Sequence, residues 1–134
     1  MKTHYNLNLI DIAKFAKIIV SDLKGGEVFA LKGQLGSGKT TFVQAVGKEL
    51  KIKHKITSPT FSLMNRYKIN IDGQPKHLYH LDLYRTETIK EIKALGLMEF
   101  LGSPEAIVFI EWAEKMKKIL PKKTIWISFT GKNK

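Results

Sequence analysis

Leu9, Ile12, Ala13, Ala16, Ile19, Val20 and Leu23 recur mostly at steps of three and four, the spacing of one face of an amphipathic helix. Asn8 is its candidate cap and Gly25-Gly26 its stop. Val28 to Leu31 is then a short unbroken apolar run, which predicts a strand buried on both faces. A helical pattern resumes at Phe42, Val43, Val46 and Leu50. Ser58-Pro59 interrupts the chain, and Phe61 to Ile69 reads as a strand. Asp72-Gly73 is a hairpin turn signal that returns the chain into HLYHLDLY, His77 to Tyr84. Thr86 to Leu95 predicts a helix capped by Thr86, and Ala106 to Ile110 a second wholly apolar strand ending at Glu111-Trp112. Pro121 precedes a last strand, Thr124 to Phe129. Buried strands alternating with helices, with one β-hairpin, predict an α/β three-layer sandwich whose sheet is mixed but mostly parallel.

Composition narrows this picture. A length of 134 residues predicts one domain over residues 1–134. No cysteine is present, so disulfides and thiolate metal sites are excluded. His4, His54, His77 and His80 show no His-x-His or His-x-x-x-His spacing, so zinc is not expected. The N-terminal apolar residues are broken by Asn6, Asn8, Asp11, Lys14 and Lys17, unlike a signal peptide. Nothing approaches the ~20 apolar residues that span a bilayer. The expectation is a cytoplasmic protein without membrane contact. A net charge of +11 suits either a polyanionic partner or a solvated lysine-rich surface. Only Arg66 and Arg85 among the 23 basic residues are arginine.

The candidate chemistry lies at Gly33-Gln34-Leu35-Gly36-Ser37-Gly38-Lys39-Thr40, which satisfies G-x-x-x-x-G-K-[ST]. It follows a buried strand and opens a helix, so backbone N–H groups and a helix N-terminus face a phosphate. The predicted sandwich is therefore P-loop NTPase-like. Gly33, Leu35, Gly36, Ser37, Gly38, Lys39, Thr40 and Thr41 are the candidate nucleotide-binding residues. Gly36 and Gly38 would allow conformations and close approaches that a Cβ blocks. Lys39 would neutralise β/γ-phosphate charge, and the Thr40 hydroxyl would coordinate Mg²⁺. Glu111, at the end of IVFIE, is the second candidate Mg²⁺ neighbour.

Alternation in HLDLY puts His80, Asp82 and Tyr84 on one face and Leu81 and Leu83 on the other. Asp82 could orient an attacking water there, although any half-exposed strand alternates in this way. Thr57, Ser58 and Thr60 surround Pro59, either as a nucleotide-sensing loop or as a turn leading into a strand. Trp112 either covers the site or packs beneath it.

Together GQLGSGKTT (Gly33 to Thr41), SPTF (Ser58 to Phe61), HLDLYR (His80 to Arg85) and EW (Glu111-Trp112) resemble the TsaE family, in order and spacing, over nearly the whole chain. The resemblance implies an ATP- and Mg²⁺-dependent ATPase. It would assist TsaD and TsaB in attaching threonylcarbamoyl to the tRNA adenosine beside the anticodon, meeting tRNA only through that complex. It implies Thr40 and Glu111 as Mg²⁺ neighbours and Asp82, Lys39 and Thr60 as catalytic residues. Gln34 stands where the family usually has Asp. The sequence ends soon after Phe129, and the further C-terminal strand of longer members is not expected in it.

Two other readings compete with this one. A small-molecule kinase clamps its transferring phosphoryl group with several arginines, and two are available. A basic RNA-binding module could carry a merely regulatory nucleotide site. No N-K-x-D guanine motif is present.

Overall fold

The computed structural model describes residues 3–53, 55–57, 59, 63–94 and 96–131. Its strands are β1 (His4–Leu7), β2 (Val28–Lys32), β3 (Met64–Ile71), β4 (Gln74–Asp82), β5 (Ala106–Glu111) and β6 (Ile125–Phe129). The helices are α1 (Ile12–Asp22), α2 (Lys39–Glu49) and the short α3 (Ile89–Lys93), with 3₁₀ segments at Leu97–Glu99 and Ala113–Ile119. The strands form one sheet in the order β1-β6-β2-β5-β4-β3. Every pairing is parallel except the β3–β4 hairpin.

Strand alternation decides which residues meet which layer. On β5, Ile107 and Phe109 join the cluster containing α1 and α2, while Ala106, Val108 and Ile110 join the cluster containing α3 and the 3₁₀ segments. Phe42, Val43 and Val46 are fully buried on the α2 side, and Phe29 stacks on Phe109 at 4.6 Å. All six residues of β5 are buried, as a parallel strand covered on both faces requires. The predicted α/β sandwich with its mixed, mostly parallel sheet is the observed architecture.

Three local expectations need correction. β1 was not anticipated, because HYNL has too few apolar residues to announce a strand; its edge pairing with β6 supplies the order. Helix α1 begins at Ile12 rather than Leu9, since the Asn8 Oδ1 accepts from the Asp11 N–H at 3.1 Å and turns the chain first. Helix α3 spans five residues and is capped by Thr88, whose Oγ1 accepts from the Glu91 N–H. Thr86 instead donates its hydroxyl to the Leu83 carbonyl at 2.8 Å, which closes the turn after β4. The first residues of the strand predicted from Phe61, and the end of the helix predicted to Leu95, lie outside the described residues.

Candidate functional site

In open α/β sheets, ligands sit outside the carboxyl ends of the parallel strands. There β2 passes through the Gly33–Gly38 loop into α2. Gly38 caps the helix at φ +110°, and a Cβ on it would lie 2.6 Å from the Ile12 side chain. Gly36 also has positive φ, +76°, but nothing lies within 4 Å of its would-be Cβ. There glycine answers to backbone conformation alone.

Register brings the acids to this loop. Glu111 pairs with Leu31 on one side and with Asp82 on the other. Its odd number in β5 turns it to the α2 face. The Thr40 hydroxyl lies 3.0 and 2.8 Å from the two Glu111 carboxylate oxygens and donates to them. Its lone pairs are thereby left for a cation. The His80 Nε2 lies 2.6 Å from the Glu111 Oε2, so His80, Glu111 and Thr40 form one chain of contacts. His80 is fully buried and Glu111 is 3% exposed. Sequence reasoning put His80 on the polar face with Asp82 but assigned it nothing. Its even-numbered position in HLDLY, two before Asp82, was the available signal.

Lys39 is 4% exposed and folds back over its own loop, donating to the Gly33 carbonyl and, at 2.9 Å, to the Gln34 carbonyl. Its Nζ lies 4.3 Å from the Trp112 ring centroid. Burial lowers the Lys39 pKa from the usual lysine value, and the nearby Glu111, Glu114 and Asp82 carboxylates oppose that shift. Trp112, with φ +60°, both lines the cleft and packs beside Tyr84. The cleft, of about 200 Å³, is also lined by Leu35, Gly36, Gly38, Thr40, Thr41 and Asp82. Gly33 and Ser37 do not line it, and Ser37 is buried. Asp82 is half-buried and its Oδ1 accepts from the Tyr84 N–H at 3.0 Å. The Lys115 ammonium donates to the Tyr84 and Thr86 carbonyls, both at 2.7 Å, pinning the turn that follows Asp82. Thr60, with Ser58 and Phe61, lies outside the described residues; Pro59 is buried and Thr57 exposed.

One hydroxyl and one carboxylate are hard oxygen donors too few to cage a metal. Among the described residues, no group of three or more His, Cys, Asp and Glu is placed to hold one. That donor set fits Mg²⁺, which keeps waters and shares a substrate's phosphates. It does not fit zinc, which takes three or four protein ligands.

A buried strand, a glycine loop, a helix opening on Lys-Thr and a carboxylate at the neighbouring strand end define an α/β protein of the P-loop class. The chain belongs to the TsaE family: residues 8–134 match the family model for the threonylcarbamoyl adenosine biosynthesis protein TsaE. It is 43% identical, over 80% of its length and 73% of the relative's, to the tRNA threonylcarbamoyladenosine biosynthesis protein TsaE of Aquifex aeolicus. It is 47% identical to the protein so named in Nostoc, over 70% of this chain and 57% of that one. The crystal structure of Bacillus subtilis YdiB superimposes with a TM-score of 0.65 at 29% identity, over 92% of this chain and 72% of that one.

Proposed function

We propose that this chain is a Mg-ATP-binding ATPase that assists TsaD and TsaB in threonylcarbamoyl modification of the tRNA adenosine next to the anticodon. The observation that carries the reading is the Thr40–Glu111 contact, 2.8 and 3.0 Å, beside a loop whose lysine is already desolvated. Bound Mg-ATP would supply the transferable phosphoryl group and the cation that shares its charge. The backbone N–H groups of Gly36 to Thr41 bind phosphate oxygens. Lys39 exchanges its contacts with the Gly33 and Gln34 carbonyls for phosphate oxygens. Glu111 would keep the Thr40 hydroxyl proton in its hydrogen bond, so that the hydroxyl oxygen would be free to help hold Mg²⁺. Asp82 orients the attacking water and takes its proton, and Thr60 senses the γ-phosphate. Among the described residues no helix is long and apolar enough to cross a membrane; the proposed place of work, with a tRNA-modifying complex, is the cytoplasm.

Intrinsic turnover is expected to be slow. Arg85 and Arg66 are both exposed, and an arginine supplied in cis or trans is worth ~10³ to 10⁵ in phosphoryl-transfer rate. The same scarcity disfavours a small-molecule kinase. The test is ATP turnover by the isolated protein, then with TsaD and TsaB added. The expected result is a rise of at least about tenfold, within the range such a supplied group produces. A fast isolated enzyme indifferent to both partners overturns the reading.

A further inference from the structure

Between Glu49, at the end of α2, and Asp72, in the β3–β4 turn, the sequence holds five lysines and arginines and no acid. The fold gathers four of them. Leu50 to Lys53, just beyond α2, faces Arg66 to Asn70 of β3 across a groove of about 660 Å³. Lys51, Lys53, Arg66 and Lys68 line it, all exposed, and none of its nine lining residues is acidic. The apolar floor includes Ile69, which is buried, and Tyr67, which packs against the core. The rim is fixed as well. Lys51 sits at φ +61°, and the Lys51 and Ile52 N–H groups donate to the Lys48 and Gly47 carbonyls at 3.1 and 3.0 Å.

Charged residues on an edge strand can simply prevent edge-to-edge pairing, and β3 is such an edge. That accounts for Arg66 and Lys68. It does not account for Lys51 and Lys53, which belong to no strand yet line the same groove. A second cavity, of about 620 Å³, shows the contrast. Lys24, Lys122 and Lys123 line it, but so does Glu27. The Glu27 carboxylate accepts from the Lys24 and Gly25 N–H groups, both at 2.8 Å.

We propose that the groove between the end of α2 and β3 is a direct binding site for the phosphate backbone of RNA. Lys51 and Lys53 follow α2 on the face of Tyr67 and Ile69, while Arg66 and Lys68 alternate with those two and project from the other face of the edge strand. The four surround the free sheet edge with a single sign of charge, which suits a chain of phosphates. It lies at the far end of α2 from Lys39 and Thr40, a helix of 11 residues and so about 16 Å long. RNA and nucleotide can therefore be held at once. The proposal does not rest on the ATPase reading. It departs from the expectation that tRNA is met only through TsaD and TsaB.

The experiment is fluorescence anisotropy of a labelled tRNA transcript with the full chain, between 50 and 200 mM KCl. With four phosphates neutralised, the affinity of the unaltered protein is expected to fall roughly 50- to 150-fold over that range. The double variant R66E/K68E is expected to bind at least about tenfold more weakly at low salt, with the slope of log K against log salt smaller by about 2. K122E/K123E removes the same charge elsewhere and is expected to stay within about threefold of the unaltered protein. Circular dichroism melting checks that each variant folds, and R66A/K68A replaces the charge reversal should that not fold. Equal losses from both double variants mean that net charge alone binds RNA, and overturn the proposal. So does salt-insensitive or absent binding by the unaltered protein. If R66E/K68E binds RNA normally but fails to bind TsaD and TsaB, the groove is a protein-docking surface and the RNA assignment is wrong.

Discussion

The two ends of α2 handle charge in opposite ways. At its N-terminus Lys39 and Glu111 are almost wholly buried and His80 entirely so, each held by named atoms at short range. At its C-terminus Lys51, Lys53, Arg66 and Lys68 stand in solvent. A buried charge must have its partners in place, because leaving it without them is costly. Its effects are therefore local and large, and salt screens them weakly. Exposed charges act through a shared field, are individually small, and fade with ionic strength. Substitutions at the first end should give discrete losses of particular functions, and substitutions at the second graded, salt-dependent ones.

The largest effect is expected at Asp82. Asp82→Asn keeps the shape of a half-buried side chain but removes the proton acceptor. ATP turnover, measured with TsaD and TsaB present, should fall by about 10² to 10⁴, the usual worth of a positioned base. Nucleotide affinity should stay within about threefold. Normal hydrolysis by Asp82→Asn removes Asp82 from the mechanism.

Next comes Lys39→Met, which keeps the aliphatic stem and removes the ammonium. Truncating a desolvated partner of a bound charge typically costs ~2–5 kcal/mol, so ATP affinity should drop at least about 30-fold. The drop should be nearly the same at low and high salt. The fold should survive, because burial already disfavours the Lys39 charge. A strong salt dependence would mean that Lys39 acts as an exposed charge, and the contrast between the two ends of α2 would collapse.

His80→Asn tests the hidden part of the site. Losing the residue that orients a metal ligand costs about 10- to 100-fold in metal affinity. The Mg²⁺ concentration needed for tight nucleotide binding should rise by about that factor, while metal-free nucleotide affinity stays within about threefold. Equal weakening of metal-free and metal-bound nucleotide would mark His80 as a packing residue only.

How much of this was legible follows from which signals are local. The glycine loop is a contiguous pattern, and β2 and β5 are unbroken apolar runs, so loop, strands and Glu111 could be located without coordinates. Alternation placed His80 and Asp82 on the face opposite Leu81 and Leu83, as observed, with the leucines in the cluster around α3. What alternation could not supply was the neighbour. The contact between His80 and Glu111 spans 31 residues of sequence and depends on β4 lying beside β5 in a particular register. β1 stayed hidden because an edge strand of four residues is half-exposed and draws its order from β6. The groove stayed hidden because its two walls are separated in sequence by the stretch around Pro59, whose pattern announces a turn or a nucleotide-sensing loop and says nothing of which basic residues meet.

The smallest effect, and the sharpest probe of the contrast, is expected at Gln34. The resemblance to the family implies Asp at this position; the Gln34 side chain is exposed while its carbonyl holds the Lys39 ammonium. The loop therefore uses the backbone of residue 34 rather than its side chain. Gln34→Asp adds a charge at the rim of the buried site without disturbing that contact. In water, a carboxylate some distance from the phosphates repels them by about 0.2–1 kcal/mol. Nucleotide affinity should fall less than about fivefold at 50 mM salt, and the loss should vanish near 1 M, where screening reaches about 3 Å. Gln34→Asp would then behave like a groove charge, although it sits one carbonyl away from Lys39. A salt-independent loss, or one as large as that from Lys39→Met, would show that the side chain of residue 34 belongs to the site. In that case burial would no longer mark the line between the two kinds of charge.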